Sequence, residues 1–319
     1  MGKMTWKERI PSLASIAGLI ALILLYYLIG TIRECNLSYG LKAVVNQSVV
    51  VALVATGAVF IYTLGSFDIS LGAATGVSAL LGAMAYNASG SLWVMFFVCV
   101  GVALLIGLIN SSLASAFNLP IFVTTVAMMS VLSAFMLILI GLNGTGDTIK
   151  VKAKAVKPLD NMLFKVGVLA AFILICFLVF DILSPGRQQK FIGGNPVCAS
   201  LSGISGKKMA IIASMMSALG VGLGAFMTIV YAPTLSQHTA GSIGMDVIIA
   251  IVFGGMPVSG GPRSKIFSAV IGAFSMSFLT QIMTFLNLGS GWGQMIKAVI
   301  FLAVVFISMS GTRSKLLTR

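Results

Sequence analysis

Apolar stretches of about 20 residues, recurring along the whole length, constrain this chain more than any motif it carries. That is the length a helix needs to cross the hydrocarbon of a bilayer, and by that measure the chain supplies roughly ten such stretches. They cover residues 10–32, 43–64, 69–86, 92–117, 121–142, 162–183, 209–230, 247–258, 266–286 and 294–309. With 58% hydrophobic and only 8% charged residues, the sequence cannot cover a soluble domain with charge. The runs are continuously apolar rather than alternating, which excludes a transmembrane β-barrel. The expected fold class is an all-α integral membrane protein with about ten transmembrane helices, read as a single transmembrane domain over residues 1–319.

Charge then orients the helices. The net charge of +13 would suggest nucleic acid in a soluble protein. Here basic helix ends obey the positive-inside rule and meet anionic lipid, so no nucleic-acid partner is implied. Lys3, Lys7 and Arg9 place the amino terminus in the cytoplasm, and Arg313, Lys315 and Arg319 place the carboxyl terminus there too. The threading leaves an outside loop at about 143–161 and a cytoplasmic loop at about 185–208. The lysines of segment 150–165 fall outside and weaken the bias. Residues 10–32 lack a small-residue cleavage pattern and read as the first membrane helix rather than a signal peptide. Five helices on each side of the sixth helix's start give two halves of opposite orientation, the arithmetic of an inverted repeat. A faint echo accompanies it: Gly65-Ser66-Phe67-Asp68 precedes an apolar helix, as does Gly241-Ser242 through Asp246.

Few groups carry chemistry. Cys35, Cys99, Cys176 and Cys198 are widely separated, and His238 is alone, so neither a metal site nor a disulfide framework is signalled. Of the seven acids, Asp68 and Asp246 lie nearest membrane depth. Each precedes a helical run, where a carboxylate caps free amides, and each could instead line a solute path. Ser70, Thr124, Thr125 and Asn143 admit the same two readings, satisfying backbone or lining a weakly polar path. Lys297 is expected to snorkel from the outer end of the last helix.

The longest cytoplasmic stretch is Phe191-Ile-Gly-Gly-Asn-Pro-Val-Cys-Ala-Ser-Leu-Ser-Gly-Ile204. Glycine and proline argue against helix at Gly193-Gly194-Asn195-Pro196. Residues 197–201 suit a short helix, with Gly203 at the C′ position after it. This loop resembles that of the ribose-type ABC importer permeases, matching at Gly193, Gly194, Asn195, Ala199, Ser202, Gly203 and Ile204. Pro196 and Ser200 stand where that family usually has an acidic residue and an arginine. Gly65-Ser66-Phe67-Asp68-Ile69-Ser70-Leu71-Gly72 is similar to the family's Gly-Gly-Ile-Asp-Leu-Ser-Val-Gly signature, departing at Ser66 and Phe67. The segment from Asp246 to Gly255, with Ser259-Gly260-Gly261, resembles a later signature.

The resemblance implies an inner-membrane permease subunit for a sugar or sugar-containing solute. Its loop would dock an ATPase subunit, which would hold ATP and magnesium. A second permease subunit would complete the path, and an external solute-binding protein would deliver the solute. The chain itself contains no Gly-x-x-x-x-Gly-Lys-Ser/Thr run, so it is read as a non-enzyme without cofactor. Three rivals remain: a permease for nucleosides or branched-chain amino acids, a proton-coupled transporter using Asp68 or Asp246, and a passive channel.

Overall fold

A computed structural model describes residues 6–144, 147–237, 239, 243–257 and 259–316. Lys3, His238, Gly241, Ser242, Val258 and Arg319 lie outside the described residues. The chain forms helices α1 (Trp6–Ile32), α2 (Leu37–Thr63), α3 (Leu71–Ser89), α4 (Leu92–Ala116) and α5 (Ile121–Asn143). A two-residue strand β1 (Ile149–Lys150), the single turn α6 (Ala153–Val156) and a 3-10 turn follow. Next come α7 (Met162–Phe177), extended by a π-helical turn at Leu178–Ile182, then α8 (Ser184–Gly194) and α9 (Pro196–Leu201). The last part comprises α10 (Gly206–Tyr231), β2 (Thr234–Leu235), α11 (Ile243–Phe253), α12 (Ile266–Phe285) and α13 (Ser290–Leu316). Strands β1 and β2 pair antiparallel, tying the segment after α5 to the segment after α10.

A helix therefore occupies each of the ten apolar stretches, but only seven among the described residues are long and apolar enough to cross a membrane: α1, α2, α4, α5, α7 with its π turn, α10 and α12. The expected count of about ten spans is not reached on that criterion. Helix α11 has 11 residues, and α3 is diluted by glycine, serine, threonine and asparagine. Boundaries also moved. Asn36 accepts the Tyr39 amide and starts α2 six residues before the expected Ala43, and Ser205 accepts the Lys208 amide to start α10 at Gly206. Helix α11 begins at Ile243, so Asp246 lies inside its first turn rather than ahead of it.

Helices α2 and α10 form the centre, crossing where glycine leaves no side chain. A Cβ at Gly57 would lie 2.8 Å from the Met216 carbonyl, and one at Gly220 would lie 2.5 Å from that of Leu53. Small residues at such crossings let backbones approach where no hydrophobic effect drives helices together. Helices α3, α4, α11 and α12 pack around this pair. Helices α1, α4, α5 and α7 expose Leu24, Phe97, Leu137 and Leu163, an apolar perimeter suited to lipid.

Candidate functional site

The candidate residues fall into three places. The first is the start of α3. The Asp68 Oδ1 accepts from the Ser70 amide (2.8 Å) and hydroxyl (2.6 Å), and Asn110 Nδ2 donates to Ser70 Oγ (3.0 Å). The Ile69 amide donates to Thr125 Oγ1 (3.3 Å), whose hydroxyl donates to the Phe122 carbonyl. The structure thus brings Asp68, Ser70 and Thr125 together, and adds Asn110, a lone amide in apolar α4 that the sequence reading passed over. Asp68 accepts from the amide of Ser70, the N-cap residue of α3, which makes no side-chain capping bond of its own. A 10 Å³ cavity beside it, the size of about one water, is lined by Asp68, Asn110 and Ser217. Thr124 is buried with its hydroxyl unpartnered among the described residues. Asn143, at the far end of α5, bonds back to the Leu139 carbonyl and is about 27 Å along the helix from Thr125. It does not join the cluster.

The second place lies between α3, α5 and α11. A Cβ at Gly244 would sit 3.2 Å from the Gly72 amide nitrogen, so the starts of α3 and α11 meet backbone to backbone. Beside them is a 220 Å³ cavity that includes Met129, Ser133 and Met136 of α5 and Gln237. Asp246 is not on its wall. It points instead to Lys297 of α13, with Nζ donating to Oδ1 at 2.7 Å and both groups buried. Two expectations are corrected here: Lys297 does not snorkel, and Asp246 is one half of an ion pair. An unpaired ion at this depth is expensive, and pairing relieves both charges.

The third place is the cytoplasmic-loop candidate. Gly193 and Gly194 are the last two residues of α8, not a helix-free break. Pro185 sits in the first turn, and glycines in the last turn cost little helix while permitting contact. A Cβ at Gly193 would lie 1.9 Å from the Thr63 carbonyl and 2.9 Å from Gly261 Cα, and one at Gly194 would touch the Pro262 ring. Since the Gly261 amide donates to that same Thr63 carbonyl (2.9 Å), the end of α2, the loop after α11 and the end of α8 share one junction. Of its partners, Gly260 and Gly261 belong to the later signature segment noted in the sequence, whereas nothing there singles out Thr63. The Asn195 Oδ1 accepts the Cys198 amide and caps α9. Ser202 and Gly203 close α9: Gly203 has φ +78, its amide donates to Ser200, and the Ile204 amide donates to Ala199, a Schellman pattern. Ala199 faces inward at 1% exposure, while Val197 and Leu201 project at 65% and 83%. Helix α8 is held from behind by the Lys190–Asp181 ion pair (2.5 Å) and by Gln189 Nε2, which donates to the Met209 carbonyl.

Away from that loop, Lys165 of α7 pairs with Asp160 and donates to Asn46 Oδ1 (2.5 Å) of α2, with Lys42 beyond at 3.6 Å from Asp160. Burial works against the Asp160 charge, but the hydrogen bond and charge of Lys165, together with Lys42, hold its carboxyl below the ordinary carboxylate range.

Residues 40–307 match the family described as branched-chain amino acid transport system / permease component. The chain belongs to this family. Among similar proteins are the autoinducer 2 import system permease protein LsrC of Escherichia coli (strain K12 / DH10B) and that of Shigella flexneri. Each is 27% identical, over 91% of this chain and 85% of its own length. The LsrC of Photorhabdus laumondii is 26% identical over 91% of this chain and 87% of its own. No solved structure matches. This family member is thus a multi-pass inner-membrane permease of the ABC importer type, a class that works with an ATPase and a solute-binding protein.

Proposed function

We propose that this permease, as one transmembrane unit, forms the path for a sugar or sugar-containing solute in an ABC importer, with a second permease subunit completing it. An external binding protein delivers the solute, and a separate ATPase subunit carrying ATP and magnesium drives the cycle. The observation that carries this reading is α9. It presents Val197 and Leu201 outward while it packs on α10 and on α8, whose last turn meets α2 and the loop after α11 at Gly193 and Gly194. A push on α9 therefore reaches α10 by contact and α2 through α8. The matched glycines, Asn195, Ala199 and Ser202 build and seat this lever, and the exposed apolar pair is its contact face. That division also accommodates Pro196 and Ser200, since an apolar dock needs neither an acid nor an arginine.

Packing supports two inverted halves, α1–α5 and α7–α13 without the cytoplasmic pair. The contact of α4 with α10 has a counterpart in α12 with α2, α3 with α4 in α11 with α12, and α3 with α5 in α11 with α13. The extensive contact of α1 with α12 has no comparable counterpart. Ten membrane-embedded helices, with both termini cytoplasmic, follow from that layout. The relatives are named for import of autoinducer 2 rather than for the amino acids of the family's description, and the likeness of the 191–204 loop to ribose-type permeases favours a sugar-type solute. A proton carrier at Asp246 fits poorly with a carboxylate already bonded to Lys297.

The test is purification of the tagged chain from its native membrane in mild detergent, beside a Leu201→Asp variant. A nucleotide-binding subunit should come with the native chain and be lost from the variant. A native chain that inserts, comes alone and moves solute without ATP would sink the reading.

A further inference from the structure

Among the acids whose side chains are described, all but one have their charge answered by water or by lysine. Glu34 and Asp147 are exposed, while Asp160, Asp181 and Asp246 each pair with a lysine. Asp68 has hydrogen bonds and no cation. Among the described residues no Lys, Arg or His lines either of the two small cavities it borders, and the titratable neighbour there is Tyr62, a neutral phenol. Depth makes this costly. Asn110, joined to Asp68 through Ser70, stands about 9 Å before the end of α4, and Ser217, on the α10 wall of the same cavity, stands about 16 Å into its helix. A carboxylate drawn out of water needs a partner charge or a proton.

The hydrogen bonds around Asp68 leave oxygens over. An ionised carboxylate only accepts, so Ser70 spends its hydroxyl proton on Asp68 Oδ1 (2.6 Å). The Ser70 oxygen then accepts from Asn110, which turns Nδ2 toward Ser70 (3.0 Å) and leaves Asn110 Oδ1 as the free end of the amide. That oxygen is buried without a partner among the described residues, on a side chain of 3% exposure. The Ser217 hydroxyl is in the same condition at 2%. Thr228, Ser275 and Ser277 return their protons to the carbonyl four residues back, and Ser217 does not. Asp68, Asn110 and Ser217 line the same 10 Å³ cavity. Carboxylate, amide and hydroxyl oxygens around a space of about one water suit a hard cation, which prefers such ligands. A water there would serve the amide and the hydroxyl but leave the charge standing. A proton would cancel the charge but fill no space and reach a single acceptor. A divalent ion asks for more than one negative charge and one small space, since calcium takes about six to eight oxygens and magnesium keeps several waters.

We propose that Asp68, Asn110 and Ser217 bind a small monovalent cation, which ties the start of α3 to α4 and α10. The ion is bound by this chain alone, and the inference is independent of which solute the permease carries.

The test uses the full-length chain purified in detergent at mildly alkaline pH, in sodium chloride or in choline chloride of equal ionic strength. Bound radioactive sodium is counted, and the melting temperature is read in parallel. The native chain should bind about one sodium ion, saturably, and melt a few degrees higher in sodium than in choline, as a ligand of the folded state requires. Asp68→Asn should lose both responses. Ser217→Ala removes no hydrogen bond seen among the described residues. It should keep the site but bind sodium about tenfold more weakly, the worth of one contact to a charged group. Asp160→Asn, which alters an acid paired elsewhere, should bind as the native chain does. A native chain that takes up no sodium would overturn the proposal, and so would native-like binding by Asp68→Asn or by Ser217→Ala. A native chain that ignores sodium and gains stability only on acidification would overturn it as well, by putting a proton on Asp68 instead.

Discussion

Asp246 and Asp68 are the two acids embedded among the apolar elements, and the chain settles them differently. Asp68 is surrounded by hydrogen-bond donors from Ser70, with Asn110 behind, whereas Asp246 is matched by the Lys297 cation. Removing one partner of a buried pair leaves the other charge uncompensated, at about 3–5 kcal/mol. Asp246→Asn and Lys297→Met should each therefore lower the detergent melting temperature and yield, while the double variant recovers most of the loss. A double variant as unstable as the sum of the singles would contradict the pairing. The pair was half legible in the sequence. Lys297 stands in an apolar stretch and Asp246 directly before one, where ionisable groups seek each other, but a separation of 51 residues gives no local periodicity to join them. Asp160 makes the opposite kind of prediction, about pH. Its carboxyl is held below the ordinary range, so its contribution to stability is fully present above about pH 4 and is lost only as pH falls through the lowered value. Melting curves of the native chain and Asp160→Asn should differ by a constant amount from neutral pH down to that range, then converge in stronger acid.

Helix α8 shows why a glycine pair misled the sequence reading. Glycine disfavours helix on propensity alone, yet Gly193 and Gly194 finish α8 because only a residue without a Cβ can touch Thr63 and Gly261 there. Packing demand outweighed propensity, and packing partners 130 and 68 residues away in the chain are invisible to a local reading. By contrast Gly203 was legible, since its role is local: a positive φ at the C′ position of α9. The two glycines should respond differently to substitution. Gly193→Ala forces its methyl into a carbonyl and should destabilise by about 1–3 kcal/mol, as overpacking does, and should uncouple the ATPase activity of the assembled importer from solute. Gly203→Ala has open space around its Cβ and meets only the left-handed backbone penalty, about 1–2 kcal/mol. Gly203→Asn should largely escape even that penalty, because asparagine tolerates this conformation. ATPase activity stimulated by the loaded binding protein, compared across the three variants, separates the cases. Equal loss in all three would mean that the loop tolerates no change of any kind and that the junction has no special part.

Burial sorts the helices into a centre and a perimeter: 83% of the most apolar part of α2 is buried, against 17% in α1 and 28% in α4 and α7. This order was not legible from hydropathy, because α2 and α1 are both uniformly apolar; it depends on where glycine permits contact, as at Gly57 and Gly220. A centre made of α2 and α10, joined at Thr63 of α2 to α8 and through α8 to α9, gives force applied at α9 a short route inward, and the proposed function requires one orientation. The loop bearing α9 must face the ATPase compartment, while the paired strands β1 and β2 face the other side, since β1 follows α5 and β2 follows α10. The positive-inside bias alone argues this weakly, because Lys150, Lys152, Lys154 and Lys157 sit near β1 on the side assigned as outside. The lysines are tolerable there because loop charge sets orientation through the whole chain rather than at each loop. Native Cys198, exposed on α9, supplies a direct reporter. A membrane-impermeant thiol reagent should modify Cys198 in inside-out vesicles and leave it untouched in intact cells. A Lys152→Cys variant should show the reverse pattern, with the modified peptides identified individually so that Cys35 does not confuse the reading. Modification of Cys198 from outside intact cells would invert the molecule, remove α9 from reach of any cytoplasmic ATPase, and leave the junction at Thr63 and Gly193 as packing without a motor.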